Sequence, residues 1–228
     1  MYRMIEGKVY GVLTDYDLAS WTWSLTSDYT KTSQQRTGTP PFMAHGLLDG
    51  SDPLHLYRHD AESLFHIMLI LATHYEIRAP KRGRGGGVRA RKGTLHFQDW
   101  FDAPNYDTLG GIKSDFFTKL KDFEVSPSFQ DLYGWLLNLQ ASFANGFIAK
   151  AQHDSQQKMR RKLLMETSEQ TGVQPAAFDD ETLEGNFTYS TLIQPARNLK
   201  GALKGLVIRY DPPSPQPAPL TGAAQAST

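Results

Sequence analysis

The 228 residues contain no cysteine, which excludes disulfide scaffolding, thiolate-bound zinc and cysteine nucleophiles, and which favours an intracellular location in cytoplasm or nucleus. They carry no net charge either. The 24 Lys and Arg stand against 24 Asp and Glu, so the chain as a whole exerts no pull on nucleic acid or an anionic membrane, and any such attraction must be local. Long apolar runs are missing too. The longest, Ile67 to Ala72, falls far short of the ~20 residues that cross a bilayer. Arg3, Glu6 and Lys8 interrupt the start, where a signal peptide needs a continuous apolar stretch, so no membrane partner is expected. What is present suits a folded chain: 39% hydrophobic residues with 12 Phe, 10 Tyr and 4 Trp, and a length that allows one domain or two small ones.

Glu6-Gly7-Lys8 lies between two short apolar runs, Met1 to Ile5 and Val9 to Leu13, a pattern that predicts a β-hairpin with glycine at the turn. Residues 15 to 58 are rich in Ser and Thr, contain Pro40, Pro41 and Pro53 and show no sustained period, so they read as a long irregular segment. From Asp60, a plausible N-cap, the chain is apolar around most of a helical wheel, which predicts a helix buried nearly all round. Phe116, Leu120 and Phe123 predict a second helix over Ser114 to Phe123. Ser126 as N-cap and Pro127 in the first turn open a third, with a stripe of Phe129, Leu132, Tyr133, Leu136, Leu137, Phe143 and Phe147 interrupted by the polar Gln140. Residues 153 to 166 read as a solvent-facing helix or an extension of it. Residues 211 to 228, with prolines at 212, 213, 215, 217 and 219, are too poor in apolar surface to fold and read as a disordered tail.

The stretch with the most chemistry is Gly11-Val-Leu-Thr-Asp15-Tyr16-Asp17-Leu-Ala, where a short apolar strand delivers carboxylates just beyond its end, a place where a hard cation such as Mg²⁺ takes oxygen ligands. Two further landmarks follow in order, Arg36-Thr-Gly38-Thr39-Pro-Pro-Phe-Met-Ala44 and Leu56-Tyr-Arg-His-Asp60-Ala-Glu-Ser-Leu-Phe65. In order, spacing and wording the three sets resemble the C-terminal lobe of a protein kinase of the fungal-type protein kinase family, over roughly residues 1 to 150 and on toward 210.

That resemblance implies a mainly α fold, a kinase-like C-lobe over residues 1 to 210 with the small hairpin at its start. It implies phosphoryl transfer from ATP to Ser or Thr of a protein substrate. Asp15 takes the place of the aspartate of Asp-Phe-Gly, the Mg²⁺ and nucleotide contact, with Tyr16 in the Phe place and Asp17 where most kinases have Gly. Thr39 takes the place of the threonine that contacts the catalytic aspartate, and Asp60 that of the buried helix aspartate that accepts N–H groups of the catalytic loop. Two departures accompany it. Ala44-His45-Gly46 stands where Ala-Pro-Glu ends the activation segment, removing the glutamate of a buried ion pair. The 228 residues also hold no His-Arg-Asp, metal-binding Asn, strand Lys or Gly-rich nucleotide loop, so the chain reads as truncated at its N-terminus and inactive alone, with a solubility deficit or oligomerisation where covering parts are missing.

Two other readings remain beside this one. The first is a catalytically dead, pseudokinase-like binding fragment. The second is nucleic-acid binding through residues 78 to 92, where Arg78, Lys81, Arg82, Arg84, Arg89, Arg91 and Lys92 surround Gly83, Gly85, Gly86 and Gly87, with no acid from Ile77 to Gln98. The absence of aromatic side chains to stack on bases weighs against that reading and favours a mobile surface insertion. Ser20 to Thr39 reads as a solvated loop, with activating phosphorylation as the alternative. His59 and His66, two helical turns apart, do not make a ligand pair, so zinc is not expected.

Overall fold

A computed structural model describes residues 2–5, 8–11, 38–48, 50, 55–78, 87–93, 95–167 and 177–197. The chain divides into two compact units, 1–37 and 38–228. In the first, β1 (Tyr2–Ile5) pairs antiparallel with β2 (Lys8–Gly11), Ile5 opposite Lys8 and Tyr2 opposite Gly11. Only Glu6 and Gly7 separate the paired ends, the loop length of the tight hairpin that the sequence predicts. Asp15, Asp17, the segment 20–37 and the tail 211–228 lie outside the described residues, as do the expectations placed on them.

The second unit is helical. After a 3₁₀ turn at Pro40–Phe42 come α1 (His45–Leu48) and α2 (Tyr57–His74), so the stretch read as irregular contains two short helical pieces and the first turn of the main helix. That helix begins earlier than predicted. Leu56 is its cap residue, and the Leu56 N–H donates to His59 Nδ1 at 2.9 Å, a side chain supplying the partner that an N-terminal amide lacks. Asp60 therefore sits in the first turn and is not the N-cap.

β3 (Tyr75–Arg78) and β4 (Gly87–Ala90) follow as a second antiparallel ribbon, then α3 (Gln98–Asp102) and α4 (Tyr106–Thr118). The helix placed at 114–123 thus starts eight places earlier, because Asn105 caps it, Oδ1 accepting from Thr108 N at 2.8 Å. It stops at Thr118. The Leu120 N–H bonds Phe117 O and the Lys121 N–H bonds Phe116 O, a Schellman closure with Leu120 at φ 44°. A 3₁₀ turn at Pro127–Leu132 leads into α5 (Tyr133–Thr167), roughly 50 Å of continuous helix at 1.5 Å per residue that absorbs the predicted extension over 153–166. Ser126 supplies no side-chain cap; its N–H instead takes Ala72 O at the end of α2, at 2.8 Å. Last comes α6 (Tyr189–Arg197), which Trp135 holds by an Nε1–H bond to Leu192 O at 2.9 Å.

The core lies where α2, α4 and α5 meet, around Phe65, Phe116, Phe117 and Phe143, all within 1% of complete burial. Phe65 approaches the other three rings with centroids 5.8 to 6.2 Å apart, the spacing at which aromatic pairs add to plain area burial. Gln140, the polar break in the α5 stripe, is buried here, and its amide donates to Phe116 O and Lys121 O, carbonyls at the closing turn of α4. The expectation that α2 is buried all round does not hold: Leu64, Ile67 and Leu71 are each about 40% exposed along one stripe, on the face away from Phe65 and Leu69. The unit is mainly helical, as the sequence predicts.

Candidate functional site

The segment from Gly38 to His45 is built by its own residues. Gly38 takes φ 135°, closed to other L-residues at little cost, and a Cβ there would stand 2.9 Å from Met43 Cγ. Pro40 and Pro41 start a 3₁₀ turn in which the Phe42 N–H returns to Thr39 O at 2.9 Å. Thr39 is exposed, and its side chain makes no capping bond. Beyond the turn the chain meets the buried side of α2.

Glu62 receives it there. Its Oε1 accepts from the His45 backbone N–H at 2.9 Å, lies 3.0 Å from His45 Nδ1 and 3.7 Å from His66 Nε2, and the carboxylate is fully buried. His66, one turn along α2, is also fully buried and sets its ring edge against Trp100 at 4.9 Å. From α4, Lys113 brings its amine under the segment, 2.5 Å from Met43 O, 3.5 Å from Pro40 O, 3.2 Å from His66 Nδ1 and 4.8 Å from the centre of the Trp100 ring. An ammonium donating to Nδ1 leaves His66 in the tautomer with its proton on Nε2, facing Glu62. Four side chains from α1, α2 and α4 thus hold one strip of backbone.

The electrostatics follow from burial. Removal from water alone would raise the Glu62 carboxyl, but the charge and hydrogen bonds of His45, together with His66, outweigh it and hold the group at about 2. Burial lowers the Lys113 amine to about 7, against the pull of Glu62. His66 is held well below its ordinary value by burial and by the neighbouring Lys113 charge, so it is neutral at physiological pH. Among the described residues, Glu62 Oε2 and His66 Nε2 have no hydrogen-bond partner. The arrangement fastens a segment in place; no nucleophile with an adjacent base appears in it.

The three residues singled out from the sequence are not gathered here. Asp15 lies outside the described residues. Thr39 stands at the surface end of the fastened strip. Asp60 is corrected most: its side chain is 75% exposed and pairs with His55 Nε2 at 2.8 Å, whereas the resemblance implies a buried carboxylate, because one place on a helix of 3.6 residues per turn separates the inward His59 from the outward Asp60. The buried acid is Glu62, two places on; where the resemblance implies a glutamate carried by the segment, here the helix supplies the carboxylate and the segment the imidazole of His45. A signal for it existed: Glu62 and His66 stand i and i+4 in the middle of α2, beside the apolar positions Phe65, Leu69 and Ile70, and Lys113 falls on the face shared by Leu109 and Phe116. Among the described residues, no three His, Asp or Glu side chains are placed to hold a metal ion, and no helix is long and apolar enough to cross a membrane.

Comparison with known proteins adds one positive result. Residues 3–72 match the family model described as fungal protein kinase. No curated protein and no solved structure matched. The matched span takes in Asp15, the Gly38 to Ala44 strip, His45, Glu62 and His66, and stops before Trp100 and Lys113. The motifs and the family model agree over residues 3–72, the part of this chain that is similar to the fungal protein kinase family.

Proposed function

We propose that this chain supplies the helical, substrate-side part of a fungal-type protein kinase domain, whose reaction is transfer of the γ-phosphoryl group of ATP to a Ser or Thr hydroxyl of a protein. The observation that carries this reading is the fastening of the Gly38 to His45 strip to α2 through Glu62, since in such a domain that strip ends the activation segment and borders the substrate. In this reading Asp15 contacts Mg²⁺, for which a carboxylate oxygen is a suitable donor, and the ion neutralises phosphate charge. Among the described residues, no three His, Asp or Glu side chains gather to complete a site for it. Thr39 supports the peptide-side loop. Asp60, being exposed, acts no deeper than its pair with His55.

Transfer of a phosphoryl group rests on positioning and charge stabilisation by a base, a second metal ligand and phosphate-binding loops. The 228 residues hold no His-Arg-Asp and no Gly-rich nucleotide loop with its lysine, so the polypeptide by itself is inactive in this proposal. The test is a pair of assays with labelled ATP. The chain alone should label no generic protein substrate, and Mg-ATP should not raise its melting temperature. Joined behind the N-lobe and catalytic loop of a fungal-type kinase, it should restore transfer, and D15N in that chimera should abolish it. Labelling by the chain alone, or a folded chimera that is inert, would sink the reading; the second result favours a dead, binding-only fragment.

A further inference from the structure

Along α5, packing gives way to solvent near residue 153. Lys150 pairs with Asp180, and the His153 ring lies against Phe178 with centroids 5.1 Å apart. Beyond them, Asp154 to Leu163 are exposed apart from the half-buried Gln157 and Arg160. Met159 is 68% exposed and Leu163 54%, and Ile148, further back, is 46% exposed. At 1.5 Å per residue, the outward stretch from Asp154 to Leu163 is about 15 Å of helix.

Two sets of side chains share this stretch. On a wheel of 3.6 residues per turn, Ile148, Met159 and Leu163 fall within about 60° of one another, with the uncharged Gln152 and Ser155 in or beside the same sector. Lys158 and Lys162 border that sector on one side and Arg160 on the other, and Arg161 lies behind it. From Ser155 to Met165 the sequence holds these four cations and no acid. Asp154 lies 3.4 Å from His153 Nδ1, and among the described residues no ion pair engages Lys158, Arg161 or Lys162.

We propose that this stretch of α5 lies along the surface of a bilayer that contains anionic phospholipid, with Met159 and Leu163 seated at the boundary of headgroups and acyl chains. A cluster of four Lys and Arg on an amphipathic helix is attracted to anionic headgroups, and flanking basic side chains reach the phosphates while their stems cover apolar surface. Charge complementarity alone would also admit nucleic acid. Phosphate contacts of that kind leave the exposed Met159 and Leu163 in water, however, whereas a bilayer takes the cations and the apolar side chains together. The chain carries no net charge, so the attraction is local to these residues. Among the described residues no helix is long and apolar enough to cross a membrane, which bears on insertion and not on this peripheral seat. Attachment of this kind is independent of phosphoryl transfer and of the family reading.

The test is flotation of the full chain with vesicles of phosphatidylcholine, either alone or mixed with about 30% phosphatidylserine. The anionic vesicles should carry the chain at 50 mM salt and much less of it at 500 mM, and the neutral vesicles should carry little at either. K158Q/K162Q should weaken partitioning by about 25-fold, each cation near an anionic surface contributing about fivefold. M159Q/L163Q, which leaves the charge unchanged, should weaken it by about tenfold or more. K92Q/K121Q, which removes two cations elsewhere, should change nothing. Melting curves of the three variants should match the parent, since all six side chains are exposed. The proposal is overturned if the anionic vesicles leave the parent behind, if K158Q/K162Q or M159Q/L163Q partitions as the parent does, or if K92Q/K121Q weakens partitioning as much as K158Q/K162Q. It is overturned too if a DNA duplex added to the mixture draws the chain off the vesicles.

Discussion

Lys113 concentrates the energetics of the fastened strip in one amine. Its folded value of about 7 against an ordinary 10.5 means that the unfolded chain holds the proton more tightly, so stability should rise as pH climbs from about 7 toward 10.5, by up to about 1.4 kcal/mol per pH unit crossed. Glu62 works at the other end with the same sign. Its folded value of about 2 against 4.5 gives stability that is complete above 4.5 and lost as pH falls toward 2, and neutral His66 adds a rise up to its ordinary 6.5. Urea midpoints should therefore climb from pH 3 to 4.5 and again from pH 7 to 10. K113M, which keeps the length of the side chain and removes the amine, should flatten the alkaline part and leave the acid part. A midpoint that falls between pH 7 and 10 in the parent, or an alkaline rise that survives K113M, would contradict this account. Gln140 shows the same economy without charge: one amide serves two carbonyls at the end of another helix, which is why a polar side chain sits in an aromatic core.

Elements meet most tightly where α5 passes residues 177–188. Gly146 lies in α5, and a Cβ there would stand 2.6 Å from Leu183 Cβ and 2.7 Å from its Cδ1. Leu183 is fully buried at φ 53°, a backbone setting with little room to shift. Alanine favours a helix interior over glycine by about 1 kcal/mol, and overpacking costs about 1 to 3 kcal/mol, so the contact should prevail. G146A is expected to lower the unfolding free energy by up to about 2 kcal/mol in urea titration, whereas G134A, also in α5 with nothing within 4 Å of its Cβ, should raise it. A stabilising G146A would show that the residues around Leu183 yield more easily than the packing implies. The end of α4 obeys a similar rule: Leu120 accepts a left-handed setting because the Schellman bonds and Gln140 together hold that turn.

On the scale of the whole molecule, α2 is a central helix with one face uncovered. Tyr57, Leu64, Ile67 and Leu71 lie at spacings of seven, three and four, each about 40% exposed, so they form one apolar stripe of the kind that marks an interaction surface. Light scattering on the 228-residue chain should show association that grows with concentration, and L64K/L71K should reduce it without lowering the melting temperature. A monodisperse parent at high concentration would remove the basis for this expectation.

Much of this molecule was legible in the chain. The tight hairpin follows from glycine between two short apolar runs, α5 from an aromatic and leucine stripe broken only at Gln140, and the resemblance to a kinase family from three ordered motifs, because each depends on residues close in sequence. What lay across the fold was not legible. The sequence placed Asp60 as cap and, by resemblance, as buried carboxylate, but the start of α2 is set by His59 folding back on Leu56, and the buried role falls to Glu62 two places along the helix. The partners of that acid lie 17 positions back at His45 and, through His66, 47 positions on at Lys113. Burial in the company of those partners sets their ionisation, and no local pattern carries it. The cations of residues 78 to 92 make the same point. Their charge is written in the sequence, while the placing of Arg78, Arg89 and Arg91 on one face of a ribbon rests on strand pairing and on anchors from Arg91 and Ser128. Composition and local period determined which segments form helices and hairpins; only tertiary packing decided which polar groups left water and what they met there, since that choice belongs to the surfaces that close around them.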